Sequence, residues 1–282
     1  MPNQQKHFSF EFFPPKTEAG VVKLREVYKA LAPLQPEYFS VTYGAGGSTR
    51  DRSLGTVLEI QKESGRPAAP HLSCIGDSKD DLAELLDTYK ANGIRHIVAL
   101  RGDLPSGMGP SGGEMGYAAD LVRFIRQRHG SHFHIEVAAY PECHPQAADM
   151  GADLRNFVHK VDQGADSAIT QFFFNADSYF HFVKQAHRLG VNIPIIPGIM
   201  PISNFANLVR FSDACGAEIP RWIRKQVASY GNDTASIQRF GEDVVTDLCA
   251  QLLSGGAPGL HFYTMNQAEP TLALWKNLGL DD

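Results

Sequence analysis

Phe8-Ser9-Phe10-Glu11-Phe12-Phe13 runs directly into Pro14-Pro15. Aromatic rings at every second position read as a strand that packs one face, Phe8, Phe10 and Phe12, on a hydrophobic layer. Ser9, Glu11 and Phe13 take the other face, and the prolines end the strand because they cannot donate to a ladder. The same habit recurs along the chain, an apolar run closing on a polar residue and then a turn. Phe39-Ser40-Val41-Thr42-Tyr43 meets Gly44, Ile97-Val98-Ala99-Leu100-Arg101 meets Gly102-Asp103, and Val137-Ala138-Ala139-Tyr140 meets Pro141-Glu142. Ala69-Pro70-His71, Ala168-Ile169-Thr170-Gln171 and Leu260-His261-Phe262-Tyr263-Thr264 repeat it. In a parallel α/β barrel the C-terminal strand ends are where chemistry is done.

Working outward, apolar runs near 8–13, 38–43, 68–72, 96–101, 134–140, 167–174, 194–199 and 260–264 read as eight strands. Helical periodicity fills the gaps: Val22, Leu24, Val27, Leu31 and Leu34 form one stripe, and Leu82, Leu85, Leu86 and Tyr89 another. Asp80 and Asp81 charge the start of that second helix and Gly93 follows its end, as Gly164 follows the stripe from Asp153 to Val161. Strict alternation of strand and helix predicts an α/β fold, a (β/α)8 TIM barrel in one domain over 1–282. A doubly wound open sheet is the alternative. The segment between strands seven and eight is long enough for extra helices, with Ser203 placed to cap the first of them.

Composition narrows the class. Hydrophobic residues make up 43% of the 282, enough for a packed core, and a net charge of -5 with no Lys/Arg block argues against nucleic acid. Met1-Pro2-Asn3-Gln4-Gln5-Lys6 lacks the apolar stretch of a signal peptide, and no run reaches membrane-spanning length. Cys74, Cys143, Cys215 and Cys249 are scattered, so reduced thiols in a cytoplasmic protein are expected.

Among the candidates for chemistry, Glu11 leads: a carboxyl facing a barrel interior lined with aromatics loses hydration, which predicts a raised pKa and a general acid. The structural alternative is a carboxylate paired with arginine. Arg101-Gly102-Asp103 delivers a cation and an anion two residues apart at a strand end, fit to clamp a phosphate or face a cation. His71 and Tyr140-Pro141-Glu142-Cys143-His144 contain metal-ligand types, but no ligand spacing, so no metal is expected. Gly107-Met108-Gly109-Pro110-Ser111-Gly112 matches GxGxxG only formally, because it neither follows a strand directly nor opens a helix. Gln171 offers a neutral bidentate amide to a heterocycle, and Phe205 an aromatic wall, or simply a helix residue packing inward. A non-redox lyase or aldolase and a non-catalytic ligand-binding barrel remain as alternatives on these residues alone.

Read together, Ser9-Phe10-Glu11-Phe12-Phe13-Pro14-Pro15, Ser40-Val41-Thr42-Tyr43-Gly44-Ala45, Ala69-Pro70-His71-Leu72 and Ile97-Val98-Ala99-Leu100-Arg101-Gly102-Asp103 resemble the bacterial methylenetetrahydrofolate reductases. So do Ala138-Ala139-Tyr140-Pro141-Glu142, Ile169-Thr170-Gln171-Phe172-Phe173-Phe174, Ile196-Pro197-Gly198-Ile199-Met200-Pro201 and His261-Phe262-Tyr263-Thr264. The matches are in order from the first strand to the last, and the chain resembles the short form that has the catalytic barrel alone. The resemblance implies an FAD-containing enzyme of methionine supply that reduces 5,10-methylenetetrahydrofolate to 5-methyltetrahydrofolate with NADH, NADPH being the alternative donor, in ping-pong fashion. It implies a homo-oligomer acting on small molecules, without nucleic acid or membrane.

By motif, the resemblance makes Glu11 the acid and Asp103 the anion beside flavin and pterin, with Gln171, Phe205 and Gln267 toward folate. It assigns Thr42, Tyr43, Ala45, His71, Arg101 and Gly102 to FAD. Further along it adds Tyr117, Ala118, Tyr140, His144, Ala147, Asp153, Asn156 and Lys160, with Arg101 and Lys160 facing the pyrophosphate and Asp153 the adenosine hydroxyls. Two positions depart from the pattern: His159 and Gln267 each stand where the family has arginine.

Overall fold

A ring of short parallel strands carries the molecule, which we describe from a computed structural model over residues 6–43, 47–102 and 114–281. The strands are β1 (His7–Phe12), β2 (Tyr38–Val41), β3 (Ala68–Ser73), β4 (His96–Leu100), β5 (His134–Ala139), β6 (Ser167–Thr170), β7 (Ile195–Ile196), β8 (Gly198–Ile199) and β9 (Gly259–Tyr263). Helices α1 (Glu18–Leu31), α2 (Gly47–Ser64), α3 (Lys79–Ala91), α4 (Ala118–His129), α5 (Met150–Asp162) and α6 (Ala176–Arg188) alternate with the first strands. Three more, α7 (Phe205–Cys215), α8 (Arg221–Tyr230) and α9 (Thr234–Ser254), fill the long segment before β9, and α10 (Glu269–Asn277) follows it. The expected barrel with extra helices late in the chain is therefore present.

The seventh strand differs from expectation. It is broken by Pro197 into β7, which pairs with β6, and β8, which pairs with β9. The order β7-β6-β5-β4-β3-β2-β1-β9-β8 thus closes on itself through a single residue. Proline has no N–H for a ladder, but its carbonyl accepts from the His261 N–H at 3.0 Å, and the Gly198 N–H donates to Thr170 Oγ1 at 2.9 Å.

Strand alternation then sorts the layers. Phe10 and Phe12 point outward, fully buried, against Phe39, Phe262 and Trp275, each such ring contributing about 1.5–3 kcal/mol by leaving water. Phe13 lies beyond the end of β1 and is 43% exposed. The inward face of the ring is strongly polar, with Ser9, Tyr38, His71, Glu136, Ser167 and His261 all buried. The helix signals read as expected for α3, where Ser78 and Asp81 form a capping box and Gly93 takes a φ of 74°. Among the described residues no helix is long and apolar enough to cross a membrane.

Candidate active site

Glu11 is the next-to-last residue of β1 and stands opposite Ser40 and Tyr263 in the ladders. Two imidazoles converge on its carboxylate: His71 Nε2 from β3 at 3.2 Å and His261 Nε2 from β9 at 3.3 Å from Oε2. The backbone is pinned as well, since the Thr264 hydroxyl donates to the Glu11 carbonyl at 2.6 Å. Burial pushes the carboxyl upward, as the strand pattern predicts, but His71 and His261 outweigh it and hold Glu11 at about 2. The expectation of a raised pKa is corrected here. Aromatic surroundings are visible locally in sequence, whereas the two histidines arrive from distant strands.

His261 carried no assigned role in the sequence reading. Its signal was register: it occupies the inward face of β9, two residues before Tyr263, while the neighbouring Leu260 and Phe262 pack outward. Its other nitrogen, Nδ1, is 2.7 Å from the Ser9 hydroxyl, so the ring is held from both sides. With Ser9 donating to Nδ1, the Nε2–H faces Glu11.

A second group of predicted residues gathers where β5 meets α5. Tyr140 packs edge-on against His144 with ring centroids 4.6 Å apart, and the His144 N–H donates to Asp153 Oδ2 at 2.9 Å. Ala147 closes the turn by donating to the His144 carbonyl at 2.9 Å. The Lys160 ammonium donates to the carbonyl of Ala138. Burial pushes it down to about 8 against the pull of Asp153. Asn156 and His159 sit on the exposed side of α5. Tyr140 and Gln171 line one narrow crevice with Glu142, Phe172 and Cys215.

The remaining candidates occupy their own strand-to-helix junctions. Thr42 and Tyr43 follow β2, with the Tyr43 hydroxyl donating to Asp77 at 3.2 Å. Arg101 and Gly102 follow β4, and Gly102 has a φ of 89° where an added Cβ would lie 1.9 Å from Ser73 Oγ, so no side chain fits. Tyr117, 69% exposed, and Ala118 begin α4. Phe205 opens α7, whose cap is Asn204 rather than Ser203: Asn204 Oδ1 accepts from the Asn207 N–H at 3.0 Å, one residue later than expected. Gln267 follows Met265 and Asn266, both at positive φ, in the turn after β9. No side-chain hydrogen bond joins Phe205 or Gln267 to Glu11, His71 or His261 among the described residues. Ala45, Asp103 and the glycine-rich stretch 107–112 lie outside the described residues.

A sequence model of the family described as methylenetetrahydrofolate reductase matches residues 1–279. The 5,10-methylenetetrahydrofolate reductase of Salmonella typhimurium is 43% identical over 276 residues, spanning 98% of this chain and 92% of its own. Methylenetetrahydrofolate reductase (NADH) 1 of Arabidopsis thaliana is 36% identical over 290 residues, 99% of this chain and 49% of its own length. A solved Clostridium thermocellum protein, described as binding two copies of 5-methyl-5,6,7,8-tetrahydrofolic acid, superposes with a TM-score of 0.66 over 99% of this chain and 95% of that one. At 17% identity that likeness shows the fold.

Proposed function

The chain belongs to the methylenetetrahydrofolate reductase family, and from that premise we propose that its barrel mouth uses NADH and a bound FAD to convert 5,10-methylenetetrahydrofolate to 5-methyltetrahydrofolate. The observation that carries the reading is the Glu11 carboxylate held between His71 and His261 at the C-terminal strand ends. Turning a methylene bridge into a methyl group takes one hydride and one proton, and the proton must reach the nitrogen that leaves as the ring opens. Glu11 delivers it. Because the carboxyl is held low, Glu11 must take up a proton anew for each transfer to the leaving nitrogen.

The donor set at the β5–α5 corner suits a flavin dinucleotide. Lys160 there and Arg101 after β4 would supply two cations for a pyrophosphate, and Asp153 a carboxylate for ribose hydroxyls. Thr42, Tyr43, Ala45, His71, Gly102, Tyr117, Ala118, Tyr140, His144, Ala147 and Asn156 would be further contacts of the cofactor. When bound, FAD supplies the two-electron carrier that lets NADH and folate use one site in turn, the basis of a ping-pong sequence. The NADH in the name of the Arabidopsis relative supports the donor.

Asp103 is assigned as the anion facing the cationic form of the folate, and Gln171, Phe205 and Gln267 as folate contacts. An anaerobic absorbance spectrum tests the whole. The purified protein should be yellow, bleach with NADH and recolour with methylenetetrahydrofolate. A colourless preparation, or one that NADH leaves unchanged, rejects the reading.

A further inference from the structure

Asn266 follows β9 in a turn whose two central residues, Met265 and Asn266, have φ of 52° and 53°. Glycine, and to a lesser extent asparagine, enters that left-handed region readily, and a non-glycine pair persists there only where the surroundings hold it. The Gln267 N–H closes the turn by donating to the Thr264 carbonyl at 3.0 Å, and the Asn266 N–H donates to Thr264 Oγ1 at 3.2 Å. This course brings the Asn266 side chain, in a residue 8% exposed, back across to the end of β1.

The end of β1 needs an anchor. Its ladder with β9 stops at Glu11 and Tyr263, and Pro14 and Pro15 have no N–H by which the chain beyond Phe13 could be tied down. The Asn266 carboxamide takes the place of the missing strand. Its Oδ1 accepts from the Phe13 N–H at 3.0 Å, and its Nδ2 donates to the Phe13 carbonyl at 3.0 Å, the kind of pairing a neighbouring strand would supply. Thr264 completes the hold, since its hydroxyl and its N–H both donate to the Glu11 carbonyl, at 2.6 and 3.3 Å. From the opposite side the Thr42 N–H donates to the Phe12 carbonyl at 2.9 Å. The main chain is therefore held at Glu11, Phe12 and Phe13 in succession.

We infer that Asn266, together with Thr264, is a positioning residue for the reaction: its carboxamide fixes the backbone on which Glu11 stands and so aims the Glu11 carboxylate at the folate. This role rests on Glu11 acting as the acid. Both hydrogen bonds of the carboxamide go to main chain two residues beyond that acid, so Asn266 acts through the backbone. Glu11 keeps Oε2 3.2 and 3.3 Å from His71 and His261 while it reaches for the substrate, and proton transfer requires hydrogen-bond reach, about 2.6–3.2 Å. A strand end released from Asn266 lets the Glu11 Cα–Cβ bond tilt, and a misplacement of about 1 Å is enough to cost about a hundredfold in rate. Hydride transfer from NADH to the flavin takes no proton from Glu11, so that half of the cycle does not depend on the clasp.

Stopped-flow measurement of the two half-reactions tests the inference, with Asn266→Gly as the main variant. Glycine accepts the positive φ, so the turn keeps its course, and Gln267 with it, while the carboxamide is lost. At saturating methylenetetrahydrofolate the reoxidation of reduced enzyme should slow by about tenfold or more. The folate dissociation constant should stay within about twofold, and flavin reduction by NADH should keep its wild-type rate. Asn266→Asp still accepts from the Phe13 N–H but sets an oxygen against the Phe13 carbonyl, so it should slow the same step. Thr264→Val should slow it as well, and Thr264→Ser should recover most of the loss. Should Asn266→Gly fail to fold, the Thr264 pair decides. Wild-type reoxidation in Asn266→Gly, or in Thr264→Val where that pair decides, overturns the positioning role alone. Equal loss in both half-reactions does the same, because it marks a merely structural contact. A wild-type protein that NADH reduces but folate never reoxidises overturns the acid role of Glu11 and the clasp's role with it.

Discussion

His261 holds Glu11 and Ser9 at once, its Nε2 3.3 Å from the carboxylate and its Nδ1 2.7 Å from the hydroxyl. A ring gripped on both nitrogens has a fixed tautomer and a fixed plane, which aims the carboxylate it touches.

Replacing Glu11 with glutamine keeps the shape and removes the proton carrier. Folate reduction should fall by roughly a hundredfold or more, the usual contribution of a general acid, while reduction of the bound flavin by NADH survives. Stopped-flow measurement of the two half-reactions separates these outcomes. Equal loss in both would mean that Glu11 organises the pocket instead of supplying the proton.

How much of this was legible in the sequence follows the range of each signal. Phe8 to Pro15 announced a strand and its inward carboxyl because alternation is a local property, and Asp80, Asp81 and Gly93 bounded α3 for the same reason. The pKa of Glu11 was misjudged because His71 and His261 come from strands far along the chain, and nothing near Glu11 encodes their convergence. The 194–199 run read as one strand because apolar content hides the change of partner at Pro197. Asn204 displaced Ser203 as a cap by one residue, a choice that depends on where the backbone first turns helical.

Barrel closure makes Gly198 irreplaceable. A Cβ there would lie 2.2 Å from the Thr170 carbonyl and 2.6 Å from Tyr263 Cε2. The carbonyl is main chain, and the tyrosine hydroxyl is tied to it at 2.7 Å, so neither yields easily. Gly198→Ala should destabilise the fold by roughly the 1–3 kcal/mol that overpacking costs, or more. Gly55→Ala in α2, with nothing within 4 Å of the new methyl, should instead stabilise by about 0.5–1 kcal/mol through helix propensity. Urea denaturation of both variants reads the contrast directly, and equal midpoints would show that the closure tolerates a side chain.

Gln267, which the resemblance assigns to the folate in place of an arginine, sits in a turn fixed by its N–H donating to the Thr264 carbonyl at 3.0 Å. An amide there can accept or donate one hydrogen bond to the folate's glutamate carboxylate but offers no charge. Gln267→Arg should lower the Michaelis constant for methylenetetrahydrofolate by about tenfold, the 1–2 kcal/mol typical of a charge-assisted pair over a neutral one. The turnover number should stay within about twofold, because the contact is the same in ground and transition states. Steady-state kinetics with both constants resolved is the check, and an unchanged Michaelis constant would place the carboxylate elsewhere.

Lys160 offers a pH test of the proposed cofactor site. Its folded pKa of about 8 lies below the ordinary 10.5 because burial disfavours the ammonium. The unfolded chain therefore keeps its proton up to about 10.5 while the folded one releases it near 8, so stability rises as pH climbs through that window. The full gain is on the order of 3 kcal/mol. Flavin-free protein should resist urea better at pH 9.5 than at pH 7.5 by part of that amount, and Lys160→Met should lose the difference. Binding runs the other way. A pyrophosphate needs the charged form, so affinity for ADP, taken as a probe of the dinucleotide's phosphate end, should fall by about tenfold between pH 7 and pH 9 as the ammonium empties. Calorimetric titration of wild type against Lys160→Met decides the point. If the variant binds ADP with the same pH slope, the cation that meets the phosphate is some group other than Lys160.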